Sequence, residues 1–100
     1  MSLSGNNLKG CLPSTIGSMT SLRSINTTRN LLSCSIPAVL GKLFSMTSLD
    51  LSKNYFSGPI PVQVSLLTNS VSLDLSQNKL SGSIPPQLNK LKKLTSLSMG

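Results

Sequence analysis

The chain contains no histidine, no tryptophan and no glutamate, and Asp50 and Asp74 are its only acidic residues. Acid–base catalysis and metal binding draw mainly on histidine, cysteine and carboxylates, so we expect no enzyme activity, no metal site and no cofactor. No apolar run approaches the roughly 18 residues that cross a bilayer, and the first residues lack the basic-then-apolar pattern of a signal peptide. Neither a membrane span nor a signal peptide is therefore predicted in the given chain.

Aromatic residues make up only 3% of the chain, whereas 38% of it is hydrophobic, mostly leucine, isoleucine, valine and methionine. A chain this apolar is not a disordered basic tail, so it must bury a core. A core with so few aromatic rings indicates thin, repeated layers of aliphatic side chains rather than the centre of an ordinary globule.

The sequence repeats itself every 24 residues, as Asn6, Asn30, Asn54 and Asn78 show first. Self-similarity at this period is typical of solenoid proteins. Further columns follow in the same register without gaps: Leu8, Leu32, Phe56 and Leu80; Gly10, Cys34, Gly58 and Gly82; Leu12-Pro13, Ile36-Pro37, Ile60-Pro61 and Ile84-Pro85; Ile16, Leu40, Val64 and Leu88; Met19, Leu43, Leu67 and Leu91; Leu22, Met46, Ser70 and Leu94; Ile25, Leu49, Leu73 and Leu97; Thr27, Leu51, Leu75 and Met99. Residues 1–100 are therefore predicted to form one repeat array.

The aligned unit, L-x-x-L-x-L-x-x-N-x-L-x-G-x-I-P-x-x-L-x-x-L, matches the leucine-rich-repeat signature. Residues 49–61 (LDLSKNYFSGPIP) and 73–85 (LDLSQNKLSGSIP) resemble the plant-specific subclass found in receptor-like kinase and receptor-like protein ectodomains. The resemblance implies an α/β-type repeat solenoid, a right-handed coil of about four 24-residue repeats without caps. A parallel β-sheet would form its concave face, and 3-10 or irregular segments its convex face.

The residues explain this architecture independently of the resemblance. Leucines at a period of two put both side chains on one face of a short strand, and strands of adjacent copies can pair in parallel. The asparagine amides can bond backbone groups of the turn leaving each strand, so Asn6, Asn30, Asn54 and Asn78 are predicted to form a structural ladder. Glycine allows a tight turn, and the aliphatic-proline pair fixes an extended segment before a short helical turn, as over residues 85–91.

Three positions depart from the repeat: Thr27 and Ser70 replace leucine, and Cys34 replaces glycine. A hydroxyl in a leucine column must find a hydrogen-bond partner or cost about 1–3 kcal/mol, so we expect both layers to be loosened. Cys11 and Cys34 fall on neighbouring coils at the same turn, with a predicted Cα–Cα distance of roughly 5–6 Å. They could form a disulfide in a secreted protein or remain two thiols in the cytosol.

Strand positions that leucine does not occupy face outward, and in a leucine-rich solenoid they form a continuous concave wall. The candidate ligand-binding residues are Arg23, Asn26, Arg29, Thr47, Asp50, Lys53, Val71, Asp74 and Gln77. Arg29 and Lys53 occupy one column on adjacent strands about 4.8 Å apart, which predicts a small positive patch for a carboxylate or an acidic peptide group. Asp50 and Asp74 are not interpreted as a catalytic pair, because a flat sheet offers no water-excluding cleft.

Asn26-Thr27-Thr28 is the only N-glycosylation acceptor sequence, and a glycan on Asn26 would project over the concave face if the chain is secreted. Nine Lys and Arg residues against two acids give a formal net charge of +7. Lys90, Lys92 and Lys93 cluster in the last predicted convex segment. Without aromatic residues on which bases could stack, nucleic-acid binding is not expected.

The resemblance implies a protein- or peptide-recognition module, a fragment of a plant receptor-like kinase or receptor-like protein that acts outside the cell in signalling or defence. A peptide or protein ligand and a co-receptor would be its partners, and its parent would lie in the plasma membrane. Two alternatives stay open: repeats that only extend the solenoid, and a soluble inhibitor of cell-wall-degrading enzymes. Ends without caps also allow end-to-end self-association.

Overall fold

A computed structural model describes residues 5–82 and 85–93 and the backbone of residues 96–98. Within these segments two three-residue strands (β) lie between consecutive five-residue 3-10 helices (η), and no α-helix is present. Of the repeat columns, Ile84, Leu94 and Met99, and the side chain of Leu97, lie outside the described residues. The elements in chain order are β1 (Lys9–Cys11), η1 (Ser14–Ser18), β2 (Ser24–Asn26), β3 (Leu31–Ser33), η2 (Ala38–Lys42), β4 (Ser48–Asp50), β5 (Ser57–Pro59), η3 (Val62–Leu66), β6 (Ser72–Asp74), β7 (Lys79–Ser81), η4 (Pro86–Lys90) and β8 (Ser96–Ser98).

The main sheet has four parallel strands in the order β2-β4-β6-β8. Its register joins residues one period apart, so that Ser24, Ser48, Ser72 and Ser96 are consecutive partners. The central aliphatic residue of β2, β4 and β6 is buried, which turns the residues on either side of it outward. The predicted parallel sheet of a leucine-rich solenoid is confirmed.

Each 3-10 helix begins directly after the proline of an aliphatic-proline pair. The fixed φ of proline and its missing N–H suit a position just before the first turn of a helix. The third residue of each helix belongs to one repeat column, and all four of its members are buried: Ile16, Leu40, Val64 and Leu88. The predicted short helical turns are therefore confirmed, including the inward positions of Leu88 and Leu91.

Two further parallel pairs, β1 with β3 and β5 with β7, lie after the ladder asparagines, and the repeat pattern does not predict them. In these pairs Gly10 is the partner of Leu32, and Gly58 is the partner of Leu80. The glycine column has the turn geometry expected of it, since Gly10, Gly58 and Gly82 have φ values of 88°, 76° and 74°. Gly10 and Gly58 nevertheless lie in paired strands, because stacked coils bring backbone N–H and C=O groups of successive coils side by side.

The core is a stack of aliphatic layers that contains most of the repeat columns. Phe56 is the only one of the three aromatic residues inside it and is fully enclosed, with 0% exposure. The first coil is more open, because Met19 is 47% exposed and Leu8 is 37% exposed. In the last described coil, by contrast, Leu91 is buried.

Two hydroxyl groups are buried in leucine columns of this core. Thr27 is 1% exposed and Ser70 is 0% exposed. Neither Thr27 Oγ1 nor Ser70 Oγ has a hydrogen-bond partner among the residues that the structure describes. Both hydroxyls therefore carry the desolvation cost expected of an unpaired buried polar group.

Replacing Thr27 with valine is expected to raise the free energy of unfolding by about 1–2 kcal/mol, because a methyl group replaces an unpaired hydroxyl in the same shape. Urea unfolding followed by circular dichroism measures the change. The matched control is Thr28→Val, since the Thr28 hydroxyl donates to Asn26 Oδ1 at 3.0 Å and the same exchange there should destabilise the chain. A less stable Thr27→Val variant would show that the hydroxyl has a favourable contact.

Candidate functional site

The asparagine column ties neighbouring coils together through its side-chain amides. Asn54, which is buried, accepts a hydrogen bond at Oδ1 from the Leu32 N–H of the preceding coil at 3.1 Å. Its Nδ2 donates to three carbonyl oxygens, those of Thr27 at 2.9 Å, Leu51 at 3.2 Å and Ser52 at 3.0 Å. One buried amide thus satisfies four backbone groups that belong to two coils.

Asn30 and Asn78 bond the coil that precedes each of them in the same way. Asn78 Oδ1 accepts the Phe56 N–H at 3.0 Å. Asn30 Oδ1 accepts the backbone N–H groups of Asn6 and Leu8 at 3.1 and 2.9 Å. These bonds hold the turn after each main-sheet strand, and they therefore fix the register of the residues on the concave face.

The last residue of three main-sheet strands closes the following turn with a side-chain oxygen. Asp50 and Asp74 each accept, at Oδ1, the N–H at 3.0 Å and the hydroxyl at 2.6 Å of the serine two residues later. Asn26 Oδ1 accepts the same two groups of Thr28 at 3.2 and 3.0 Å. The three side chains therefore stabilise the turn after their strand in the same way.

A shallow groove follows the ends of the main-sheet strands; we call it the strand-end groove. Its cavity volume is about 420 Å³, and five candidate residues line it: Arg29, Asp50, Lys53, Asp74 and Gln77. The two cations of the predicted positive patch therefore share the groove with both acidic side chains of the chain. The formal charges of its side chains sum to zero.

The residues of the predicted positive patch lie beyond the strands, which differs from the strand positions expected for them. Arg29 and Lys53 follow the ends of β2 and β4 by three residues, and each has a φ of 58°. Gln77 occupies the same column with a φ of 55°, and Gly5 with a φ of 69°. The turn before the ladder asparagine needs this left-handed backbone, which glycine adopts without strain and other residues adopt at some cost.

A second groove precedes the main-sheet strands; we call it the strand-start groove. It has a cavity volume of about 370 Å³ and is lined by Arg23, Ser45, Thr47, Asn69, Val71 and Lys93. The candidates Arg23, Thr47 and Val71 stand directly before β2, β4 and β6. The Thr47 N–H donates to Arg23 O at 2.7 Å, and the Val71 N–H donates to Thr47 O at 2.8 Å, so the three residues form one ordered row.

Lys93 lines the strand-start groove, which corrects its predicted place in a convex lysine cluster. Its Nζ donates to Asn69 Oδ1 at 3.0 Å, and Asn69 Nδ2 donates to Phe44 O at 3.0 Å. Ser45, Asn69 and Lys93 are spaced by one period, as the core columns are. The 24-residue spacing could have predicted that Lys93 lies beside Asn69. The repeat is defined by its leucine columns, however, and the column of Ser45, Asn69 and Lys93 contains no leucine.

Cys11 and Cys34 form a disulfide between the first two coils, with their Cα atoms 5.3 Å apart. Cys34 has a φ of 69° in a column where the other three coils have glycine. Neither cysteine lines either groove. The bridge thus joins the first coil to the second on the side of β1 and β3 rather than contributing to the concave face.

Parallel strands one period apart, 3-10 turns opposite them and a ladder of asparagines define a leucine-rich-repeat solenoid with a polar concave face. The Leucine Rich Repeat family model matches residues 1–19, 45–67 and 69–91. The chain belongs to the leucine-rich-repeat family. No helix among the described residues is long and apolar enough to cross a membrane.

Solved structures of plant receptor ectodomains are similar to this chain. The crystal structure of PEPR1-AtPEP1 superposes with a TM-score of 0.98 at 34% identity, and the match covers 100% of this chain and 14% of the other. The BIR3-SERK2 complex from Arabidopsis thaliana matches with a TM-score of 0.92 at 39% identity, over 98% of this chain and 54% of the other.

The ectodomain of the Arabidopsis receptor kinase HAESA, in complex with an extended IDA peptide hormone ligand, matches with a TM-score of 0.90 at 32% identity. That match covers 98% of this chain and 17% of the other, so the chain spans a small part of the receptors it resembles. A comparison with curated proteins finds no match. The resemblance to plant receptor-kinase ectodomains is confirmed by these structures.

Proposed function

We propose that the chain is a ligand-recognition segment of a plant cell-surface receptor and that its concave face binds a peptide or protein. The observation that carries this proposal is the position of eight of the nine candidate residues in two grooves at the two ends of the same strands. The ninth, Asn26, ends β2 between them. Buried leucines between these residues keep the sheet rigid, so the ligand meets a preformed surface.

The partner classes follow from the similar structures. HAESA is in complex with the peptide hormone IDA and with the co-receptor SERK1, and BIR3 is in complex with SERK2. We therefore propose a peptide ligand and a co-receptor for the whole receptor, which would lie in the plasma membrane and transmit a signal. The chain itself would contribute binding rather than catalysis.

The proposed extracellular location agrees with two features of the chain. A disulfide between Cys11 and Cys34 persists in oxidising compartments and would constrain the first coil there. Asn26 begins the only N-glycosylation sequence, and we propose it as a glycan acceptor. Because its Oδ1 already bonds Thr28, a glycan would rise from a side chain that is held in place over the sheet.

A bulky residue in the middle of the main sheet tests whether this face recognises peptides. Displayed dodecapeptides would be selected on the whole chain, and the enriched peptides would then be measured on Ser72→Trp, a substitution at the centre of the main sheet. We expect their affinity to fall by about tenfold or more, because the indole would cover the sheet between the two grooves. The matched control is Gln87→Trp on the exposed surface of η4, which should bind as the natural chain does. Selection of no peptide, or equal binding by both variants, would contradict the proposed function.

A further inference from the structure

The two grooves of the concave face differ in charge. The strand-end groove contains two cations together with Asp50 and Asp74, the only acidic side chains in the chain. The strand-start groove contains the cations Arg23 and Lys93 and neither aspartate. An acidic ligand therefore meets no net charge in the first groove, whereas it meets two positive charges without a carboxylate beside them in the second.

The ammonium group of Lys93 is held in an orientation suited to binding. Its hydrogen bond to Asn69 leans the side chain one coil toward Arg23, since Asn69 belongs to the preceding coil. The amide of Asn69 is itself fixed, because it donates to the backbone oxygen of Phe44. An ammonium positioned in this way loses little side-chain entropy when a ligand arrives, and it retains further N–H donors for that ligand.

The two cations are separated by a distance that an extended peptide can bridge. Arg23 precedes β2 and Lys93 precedes β8, so three strand-to-strand steps lie between them in the main sheet. At about 4.8 Å per step the strands β2 and β8 are about 14 Å apart, which equals roughly four residues of extended chain. Lys93 lies three residues before β8, in the column of Asn69, and both it and Arg23 line the groove. Thr47 and Val71 lie between them, and Val71 is 42% exposed and offers an apolar contact.

We propose that the strand-start groove binds an acidic peptide segment in which two carboxylates, three or four residues apart, flank an apolar side chain. Arg23 and Lys93 bind the carboxylates, and Val71 contacts the apolar side chain. This inference rests on the proposed function and specifies the chemistry of its ligand. It also moves the acidic-ligand site away from Arg29 and Lys53, for which sequence reasoning had predicted that role.

Two double variants that lose the same charge separate the two grooves. Arg23→Gln with Lys93→Gln neutralises the strand-start groove, and Arg29→Gln with Lys53→Gln neutralises the cations of the strand-end groove. Glutamine is used in both because Gln77 already occupies the left-handed column of the strand-end groove. Displayed dodecapeptides are selected on the natural chain and on both variants, after circular dichroism has shown that the melting curves agree.

We expect the natural chain and the strand-end variant to enrich paired acidic residues, and the strand-start variant to lose this preference. An enriched peptide measured by fluorescence anisotropy should bind the strand-start variant about tenfold more weakly than it binds the natural chain. Its affinity for the natural chain should fall when salt rises from about 50 to about 200 mM, because salt screens the attraction between the cations and the carboxylates. The same peptide with glutamine at both acidic positions should bind the natural chain as weakly as the original peptide binds the strand-start variant. This peptide comparison needs no protein variant, so it stands even if a variant fails to fold.

Four outcomes would overturn the inference, and they distinguish it from the proposed function. Peptides enriched without acidic pairs, or an acidic preference that is lost in the strand-end variant, would refute the strand-start groove while leaving peptide recognition intact. Enrichment of no peptide at all would refute both proposals. Binding of single-stranded oligothymidine as tightly as the peptide, with the same loss in the strand-start variant, would make the groove a general polyanion site.

Discussion

Replacing Asn54 with alanine is expected to lower the free energy of unfolding by about 2–4 kcal/mol, because the substitution removes four hydrogen bonds and takes the side-chain acceptor away from the buried Leu32 N–H. The Leu32 N–H and the Ser52 carbonyl oxygen lose their side-chain partner. The carbonyl oxygens of Thr27 and Leu51 each lose one of two amide donors and keep the other, Asn30 and Asn78 respectively. Water cannot replace these partners readily, since Asn54 is only 5% exposed. Urea unfolding followed by circular dichroism measures the loss.

Two controls show whether the ladder bonds cause this loss. Asn54→Asp keeps the acceptor for Leu32 but replaces the donating amide with an oxygen that faces three carbonyl groups, so it should destabilise the chain at neutral pH at least as much. Asn89→Ala removes an exposed amide on η4 and should change the stability by less than about 0.5 kcal/mol. If Asn54→Ala cost no more than Asn89→Ala, the ladder would not stabilise the coil.

The fold was predictable because every layer obeys the same local rule. A leucine one period from another leucine must lie above it, so the buried Ile25, Leu49 and Leu73 could be assigned to one stack from sequence alone. The second sheets could not be predicted in this way, since they depend on backbone pairing and not on side-chain type. Lys9–Cys11 and Leu31–Ser33 share no pattern of residues that marks them as partners.

The site was predictable only in part, because charge does not follow the repeat. Outward positions such as Arg23 and Val71 follow from the alternation of the strand, and both line a groove. The sharing of one groove by Arg29, Lys53 and both aspartates depends on the left-handed turn after each strand. The leucine columns do not indicate that turn. The sequence therefore predicted the patch on the strands and did not predict that the two aspartates would balance its charge.

The ladder and the grooves depend on each other through the strand ends. Asn54 fixes the turn that contains Lys53, and Asn30 fixes the turn that contains Arg29. Loss of a ladder amide should therefore disturb the strand-end groove before it disturbs the strand-start groove, because the ladder amides bond the turns at the strand ends.

Replacing Phe56 with alanine is expected to lower the free energy of unfolding by about 3–5 kcal/mol, as large deletions in a packed core do. Phe56 is 0% exposed and is the only aromatic side chain in the core. The other members of its column, Leu8, Leu32 and Leu80, are smaller, so neighbouring layers have no side chain that could fill the space. Urea unfolding with constant slope would show that the loss comes from stability and not from a changed unfolded state.

The column itself supplies the conservative substitution for this position. Phe56→Leu restores the residue found in the other three coils and should cost less than about 1.5 kcal/mol, because only part of the volume is lost. Phe44→Ala is the matched exposed control, since Phe44 is 62% exposed and its ring contributes little burial. In all three variants the backbone N–H of residue 56 remains available to Asn78, so the ladder is unchanged and the comparison isolates the ring. A Phe56→Ala chain as stable as the Phe44→Ala chain would mean that the third coil closes around the missing ring.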